Sequence, residues 1–306
     1  MPVLAHPSPA PTELAPSRAS HDWLDRAAYP FVPRYLDLIE GRVHYVDEGQ
    51  GEPIVLVHGT PTWSFEYRRL IAELSRSRRV IALDHLGFGL SDRPQGFGYR
   101  SEDHARVFAA FVEALGVQRF TLVVHDFGGP IALPVAIAHP ERISSLVVLN
   151  SFMWPIDDPK LERQARFAGS GWGRFLYRYL NFSLRVLLPF AYGDKRRLSS
   201  AVHRQYLAPF RARGARVQVL WALARSLLAS RAHFAELWAN RARLASIPSL
   251  VLWGQADRAF PAHFLERWAE ALPHARIEAL PGVGHWPHEE APERVLESVR
   301  RFLDRL

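Results

Sequence analysis

Short apolar segments separated by helical patterns recur along most of the chain, and this alternation is the feature that most narrows its fold. The first two segments lie on either side of Gly41 and predict a β-hairpin. The later ones alternate with helices, which is typical of a parallel sheet with helices on both faces. We therefore predict an α/β fold with a mostly parallel sheet of eight strands: Tyr35–Ile39, Val43–Val46, Pro53–His58, Arg79–Asp84, Phe120–His125, Ile143–Asn150, Ile247–Trp253 and Arg276–Leu280.

The alternation stops after residue 151. Residues 152–245 show no strand pattern and are rich in Arg, Ala, Leu and aromatic residues, so we predict a helical cap inserted after the sixth strand. A cap at that point would roof the crevice where such sheets bind ligands. The core is then expected over 29–151 and 246–306. Five prolines lie among the first 20 residues, and we expect a loose N-terminal arm over residues 1–28.

Composition excludes several classes of function. The chain of 306 residues has no cysteine, which excludes disulfides, thiolate metal sites and a cysteine nucleophile. Its apolar runs are much shorter than the roughly 20 residues that span a bilayer. The net charge is +7, but the basic residues are spread along the chain without a nucleic-acid-binding motif, so we expect neither a nucleic acid nor a membrane as partner. The N-terminus lacks a secretory signal pattern, and we expect a cytoplasmic location.

The segment from Val123 to Gly129 carries the most informative pattern. A strand runs directly into a helix with two glycines just after the turn, as in a nucleophile elbow. The position that usually holds serine holds Asp126. A carboxylate there would attack carbon and form an ester intermediate. The alternative is that Asp126 is only the N-cap of the following helix.

Three other features follow the ends of predicted strands, and their order along the chain matches that of the catalytic groups in an α/β-hydrolase. Asp257 comes after the seventh strand and His285 after the eighth, so Asp126, Asp257 and His285 stand in the nucleophile–acid–base order of an α/β-hydrolase. His58-Gly59 follows the third strand, where a backbone N–H completes an oxyanion hole. Taken singly, each has a plainer interpretation as a loop histidine, a cap or a turn. Together they predict one active site.

From about residue 30 to its end, the chain resembles the α/β-hydrolases with an aspartate nucleophile, and among them the haloalkane dehalogenases. The HGxPTWS and DxLGxGxSD patterns are much more specific than the elbow. The resemblance covers nearly all of the catalytic domain and matches the cap only loosely. It is carried by HGTPTWSFEYR (58–68), DHLGFGLSDRP (84–94), VHDFGGP (124–130) and GVGHWPHEEAPE (282–293).

The resemblance implies a role for each of these positions. Asp126 is expected to be the nucleophile and His285 the base that activates water. One dehalogenase subgroup carries the third acid after the seventh strand, where this chain has Asp257. Another carries it after the sixth strand, where this chain has Asn150, which cannot hold the charge, so Asp257 is assigned.

The resemblance also implies the partners of the reaction. The backbone N–H groups of Thr60 and Phe127 match the oxyanion hole. The expected substrate is small and apolar, water is the cosubstrate and a halide ion is a product. No cofactor or metal is implied, and we expect a monomer or a weak homodimer.

This chain departs from the dehalogenase pattern on the halide side. Members usually have tryptophan after the nucleophile, whose indole N–H holds the departing halide, whereas Phe127 has no such donor. Thr60 stands where some members use asparagine as the second donor. A cap tryptophan is a possible replacement, and we expect Trp172 first because some members carry theirs in an early cap segment. The other cap candidates are Trp154, Trp221 and Trp238, and simple packing is the alternative for each.

Other activities use related machinery. An epoxide hydrolase shares the aspartate–histidine–acid set but needs two cap tyrosines to protonate the epoxide oxygen. A β-lactone hydrolase would also suit an ester-forming aspartate, whereas a serine esterase is disfavoured because position 126 is not serine. A catalytically silent receptor has no need of all three catalytic groups. The cap tyrosines available for the epoxide reaction are Tyr177, Tyr179, Tyr192 and Tyr206.

Overall fold

The computed structural model describes residues 21–306 and contains an eight-stranded sheet in the order β1-β2-β4-β3-β5-β6-β7-β8. Strand β2 is antiparallel to both of its neighbours, and every other pairing is parallel. The predicted α/β class and strand number are therefore confirmed. The strands are β1 Arg34–Leu38, β2 Gly41–Glu48, β3 Pro53–Val57, β4 Arg79–Leu83, β5 Phe120–Asp126, β6 Ile143–Ser151, β7 Ser249–Gly254 and β8 Arg276–Leu280.

The central strands carry apolar residues on both faces because helices cover both sides of the sheet. All seven residues of β5 are buried, as are all six of β7. Parallel strands covered in this way read as continuous apolar runs in the sequence. The helices of the core are α1 Arg68–Leu74, α2 Ser101–Ala114, α3 Gly128–Ala138, α11 His263–Ala271, α12 Pro287–Glu290 and α13 Pro292–Leu303.

The chain between β6 and β7 is helical and contains no strand, which confirms the cap inserted after the sixth strand. Three of its segments, Leu176–Leu180, Ser183–Leu187 and Arg216–Trp221, are π-helical. Its α-helices are α4 Pro159–Gly169, α5 Gly171–Phe175, α6 Leu188–Ala191, α7 Ser200–Leu207, α8 Arg213–Ala215, α9 Ala222–Ala229 and α10 Arg231–Ala239.

Residues 21–28 differ from the loose arm expected over 1–28. Leu24 is buried, and the ring of Trp23 packs edge-on against Trp63 with ring centroids 5.6 Å apart. Gln205 of the cap accepts a hydrogen bond from the Asp25 N–H and donates one to the Trp23 carbonyl. These residues therefore join core and cap. Residues 1–20, the rest of the predicted arm, lie outside the described residues.

In the described part of the chain, no helix is both long enough and apolar enough to cross a membrane.

Candidate active site

Asp126 stands at the last position of β5, where the chain turns sharply into α3. Its φ is +49°, in the left-handed region that costs a non-glycine residue energy and that marks strained functional turns. The close approach of neighbouring backbone requires glycines around it. A Cβ on Gly59 would lie 2.3 Å from the Asp126 Cβ, and one on Gly128 would lie 2.2 Å from the Val57 carbonyl oxygen. The elbow thus presents a buried carboxylate above the sheet.

The Asp126 carboxylate does not cap α3, which settles the alternative raised by the sequence. Its Oδ1 accepts a hydrogen bond from the Thr60 N–H at 2.8 Å, and its Oδ2 lies 3.3 Å from Nε2 of His285. The hydroxyl of Ser151 donates to the Asp126 carbonyl at 2.6 Å and helps to hold the turn. The two carboxylate oxygens therefore face different partners.

His285 lies between two carboxylates in a buried position. Its Nδ1 is 2.8 Å from Oδ2 of Asp257, while its Nε2 faces Asp126. Burial alone would lower the pKa of His285, but the charges of and hydrogen bonds to Asp257 and Asp126 outweigh it and raise the pKa to about 10. The imidazole is therefore protonated at neutral pH for as long as both carboxylates are charged.

Asp257 is held by a set of donors that leaves it oriented toward His285. Its Oδ1 accepts hydrogen bonds from the N–H groups of Ala259 and Phe260, at 2.7 and 3.1 Å. Its Oδ2 accepts one from the Asn150 side chain at 2.7 Å. The sequence excludes Asn150 as the charged partner of His285; the structure places it as a neutral donor to Asp257, a role that the sequence analysis missed.

Comparison with known proteins agrees with this geometry. The family described as alpha/beta hydrolase fold matches residues 52–292. The chain belongs to the α/β-hydrolase family. Haloalkane dehalogenase 2 of Mycobacterium tuberculosis is 41% identical over 213 residues, which cover 70% of this chain and 73% of that protein. The cis-3-alkyl-4-alkyloxetan-2-one decarboxylase of Shewanella oneidensis is 33% identical over 293 residues, which cover 90% of this chain and 89% of that protein.

Solved structures give the same assignment. The haloalkane dehalogenase DatA from Agrobacterium tumefaciens C58 superimposes with a TM-score of 0.80 at 26% identity, covering 90% of this chain and 96% of DatA. The haloalkane dehalogenase DbeA from Bradyrhizobium elkani superimposes with a TM-score of 0.79 at 25% identity, covering 88% of this chain and 96% of DbeA. This α/β-hydrolase is thus a haloalkane-dehalogenase-like enzyme.

Phe127 and Trp172 differ in how close the structure brings them to this site. Phe127 follows Asp126 and is buried, with its ring edge-on to Phe152 at 5.3 Å. Trp172 lies on the cap with 73% of its surface exposed, and its ring contacts Phe175. A halide donor must face the buried carboxylate, so Trp172 is not in a donor position here. We therefore leave Trp172 out of the proposed catalytic set.

Trp286, which the sequence analysis did not single out, adjoins His285. Its ring is perpendicular to that of His285 with centroids 4.6 Å apart, and it stacks on Tyr192 at 5.3 Å. Its indole N–H is buried and has no hydrogen-bond partner among the described residues. A buried unpaired donor is costly, so it is a candidate to meet a ligand. Its position directly after His285 was the signal available in the sequence.

A second polar cluster, also missed, lies directly behind His285. His125 Nε2 is 2.8 Å from the His285 carbonyl oxygen and therefore donates to it, while His125 Nδ1 is 3.2 Å from Oε1 of Glu66. His288 Nε2 is 3.5 Å from the same oxygen, and all three side chains are fully buried. Burial would raise the pKa of Glu66, but His125 and His288 hold the pKa well below its usual range.

This cluster is the group in the described chain whose atoms are placed to hold a metal ion. One carboxylate oxygen and two imidazole nitrogens lie within 4.8 Å of one another, a donor set that Zn²⁺ accepts. The same contacts also have the lengths of hydrogen bonds and ion pairs. In either form, a charged group is linked through His125 to the backbone carbonyl of His285.

The cap tyrosines fit an epoxide mechanism poorly. Tyr206 donates its hydroxyl hydrogen to Glu289, which also pairs with Arg68. Tyr179 is 44% exposed at the cap surface. Tyr177 is buried, and burial raises its pKa to about 12, which weakens it as an acid. Tyr192 is buried and stacks on Trp286, and in the described chain none of the four hydroxyls is hydrogen-bonded to the Asp126 carboxylate.

Proposed function

We propose that this enzyme hydrolyses haloalkanes through a covalent ester on Asp126, converting haloalkane and water into alcohol, halide and a proton. One observation carries the proposal: the Asp126 carboxylate is held by the Thr60 N–H through one oxygen and faces His285 through the other. A fixed nucleophile beside a histidine–carboxylate pair is the arrangement that two-step covalent hydrolysis requires.

In the first step, Oδ2 of Asp126 attacks the carbon that carries the halogen. The new C–O bond forms as the C–X bond breaks, and the halide leaves with the bonding electrons. The Thr60 N–H keeps Oδ1 in place, so the attacking oxygen needs no reorientation. Protonated His285 takes no proton in this step.

Formation of the ester changes the proton affinity of His285. The charge of Asp126 is one of the groups that raise the pKa of this histidine, and esterification removes that charge. The pKa of His285 therefore falls, the imidazolium releases its proton to solvent, and the neutral imidazole can then accept a proton from water. Asp257 remains to stabilise the imidazolium that forms. Formation of the ester therefore makes His285 basic enough to promote hydrolysis of that ester.

In the second step, His285 takes a proton from water as the water oxygen attacks the ester carbonyl carbon of Asp126. The oxyanion that develops on Oδ1 is stabilised by the Thr60 N–H, which already faces that atom, and by the Phe127 N–H, which the resemblance adds. The tetrahedral intermediate then collapses: the bond between the Asp126 carboxyl carbon and the alkyl oxygen breaks, His285 gives its proton to that oxygen, and the alcohol leaves. The Asp126 carboxyl group, which now holds one oxygen from water, loses its proton to His285 and is again a carboxylate.

A trapped intermediate tests this proposal. We expect His285→Gln to accumulate an ester on Asp126, because attack needs no histidine whereas hydrolysis does. Intact-protein mass spectrometry after incubation with 1-bromobutane should show the added butyl group, and peptide mapping should place it on Asp126. His203→Gln, a cap variant, is the control and should gain no mass. A folded His285→Gln protein without the adduct, or an adduct on another residue, would reject the mechanism.

A β-lactone is the second candidate substrate, and two observations favour it. The relative that covers 90% of this chain is a decarboxylase of an oxetan-2-one, which is a β-lactone. The side chain of Phe127 supplies no N–H for a halide, but opening a lactone releases no halide. Attack by Asp126 on a ring carbon would break its C–O bond and leave the carboxylate on the opened chain. A panel of bromoalkanes, β-lactones and epoxides, followed by halide release and product mass, decides among them.

We also propose that the enzyme acts in the cytoplasm as a monomer or weak homodimer. The substrate class is small and apolar in both candidate reactions.

A further inference from the structure

Exposed apolar side chains are concentrated on one part of the cap. Of the 12 large hydrophobic residues exposed in the described chain, eight lie between residues 167 and 190. Singly exposed apolar residues are ordinary, but a concentration of them marks a contact surface. We name this set the cap apolar surface: Phe167, Trp172, Phe175, Tyr179, Leu180, Val186, Leu187 and Phe190.

Most of this surface belongs to two consecutive helical stretches. The first joins α5 to the π-helical turn Leu176–Leu180, and the second joins Ser183–Leu187 to α6. Asn181, in the left-handed conformation, separates them. The ring of Phe175 contacts Trp172 at 6.1 Å and Tyr179 at 4.8 Å, so the first stretch presents a row of three aromatic rings.

The charge of the same region is entirely positive. Residues 163–190 contain five arginines and no acidic residue, and the whole cap carries 17 basic against 5 acidic residues. Within the described chain, only one of the five, Arg166, is ion-paired, whereas Arg163, Arg174, Arg178 and Arg185 are not. Arg174 and Arg178 line a shallow cavity of about 400 Å³ together with Phe175 and Tyr179.

We propose that the cap apolar surface docks on an anionic lipid membrane. Trp, Phe and Leu beside unpaired arginines form the composition by which helices lie in the interface of acidic bilayers. The apolar rings would enter the acyl boundary while the arginines meet the phosphates. A second copy of this chain fits less well, because it would bring two strongly positive caps together with no acidic residue in either segment. This proposal replaces the expectation that no membrane is a partner.

The surface adjoins the active site. Phe190 precedes Ala191, whose carbonyl oxygen accepts the His285 N–H at 3.0 Å. The guanidinium of Arg258, which follows Asp257 in the chain, lies over the Phe190 ring at 5.3 Å. Docking would therefore place an apolar phase next to the segment that carries the catalytic histidine. The docking proposal stands on the surface alone and does not depend on which substrate the site accepts.

Vesicle flotation with the full-length chain tests the proposal without any turnover. We expect binding to phosphatidylcholine vesicles that contain phosphatidylglycerol. Binding to phosphatidylcholine alone should be at least about tenfold weaker, because roughly fivefold is expected for each arginine near an acidic surface, and two such arginines already give about 25-fold. High salt should weaken the binding because the charge contribution is screened.

Two sets of variants separate the apolar and charged contributions. The combined variant Trp172→Ser, Phe175→Ser, Leu180→Ser should bind at least about tenfold more weakly, and Arg174→Gln, Arg178→Gln should lose most of the preference for the acidic lipid. The matched controls are Val32→Ser, Ile39→Ser, which remove exposed apolar groups from the core, and Arg69→Gln, Arg76→Gln. Each control should bind like the wild type, and thermal unfolding should verify that every variant is folded.

Three results would overturn the proposal. The first is a folded wild-type protein that does not float with acidic vesicles. The second is binding that the cap variants leave unchanged, which would assign it to another part of the chain. The third is a wild-type dimer that the apolar variant converts to monomer while neither floats, which would make the surface an interface between copies. Because none of these outcomes involves the active site, they are distinguishable from failure of the proposed reaction.

Discussion

The core and the cap of this enzyme differ in charge as much as in architecture. The cap has 17 basic and 5 acidic residues, whereas the rest of the chain has 21 basic and 26 acidic residues. The side chains proposed for chemistry stand at or beyond strand ends of the core: Asp126 is the last residue of β5 and is paired in its ladder, whereas Asp257 and His285 lie in the loops after β7 and β8. The sheet therefore positions the residues proposed for the reaction, while the exposed surface of the cap is available for a separate interaction.

The strongest test of the core's role is Asp257→Asn. Asparagine keeps the size of the side chain but cannot stabilise the imidazolium of His285, so we expect activity to fall by about 10⁴-fold, as in the equivalent change of a serine protease triad. The control is Asp158→Asn, at the N-cap of cap helix α4, which should leave activity within about twofold. Steady-state kinetics with the best substrate measures both, and near-normal activity of Asp257→Asn would place the acid elsewhere.

A smaller effect is expected from Phe127→Trp, which tests the leaving-group side of the core. If the substrate is a haloalkane, an indole N–H beside the halide should raise the rate by about 10- to 100-fold, the effect of one hydrogen bond to a charged group. The gain should be larger for chloroalkanes than for bromoalkanes because chloride is the poorer leaving group. Halide release is the measurement.

The larger ring of tryptophan could also change the packing of the pocket, so the Phe127→Trp experiment needs a control for side-chain size. Phe152→Trp enlarges the ring that contacts Phe127 without placing a donor after the nucleophile, so it should give no gain. Activity on β-lactones or epoxides should not improve in Phe127→Trp, because no halide departs. If the wild type opens one of these rings but releases no bromide, and Phe127→Trp gains no halide release, the result would favour the ring compound over a haloalkane as the substrate.

The pH dependence of stability reports on the buried histidine. The pKa of His285 is raised from 6.5 to about 10 in the folded protein. Such a group stabilises the fold fully below pH 6.5, and its contribution is lost as the pH rises toward 10. We therefore expect the Tm advantage of the wild type over His285→Gln to shrink between pH 7 and 10. His139→Gln, on an exposed histidine, should track the wild type, and parallel Tm curves for His285→Gln would contradict the assignment.

The smallest effect is expected at Trp172. Because this side chain is exposed on the cap, we expect Trp172→Phe to leave kcat/KM for a short water-soluble bromoalkane within about twofold. The comparison variant is Trp286→Phe, which removes the buried N–H beside His285 and should slow halide release by about tenfold. A large loss in Trp172→Phe would show that the cap closes over the site during turnover and would weaken the division between core and cap.

Local patterns were sufficient to predict most of the sheet and to suggest the order of the proposed catalytic groups along the chain. Apolar runs predicted β3, β5, β6 and β7 within a few residues, and the glycines after Asp126 predicted the elbow. Long-range contacts were not predictable in this way. Glu66 and His288 are far apart in the chain and meet only because both face His125, and nothing in the local sequence of Trp172 indicated that its ring would point outward.

Residue types and spacing by themselves determined the α/β class and the helical insertion after the sixth strand, and they pointed to Asp126 as the proposed nucleophile and His285 as its proposed base, because these depend on periodicity and on motifs within single segments. Only the tertiary structure decided which atoms face one another. It made Asn150 a donor to Asp257, placed a buried charged cluster behind His285 and left eight apolar side chains of the cap uncovered. The physical reason is that burial and pairing depend on segments distant in sequence, whose approach no local pattern records.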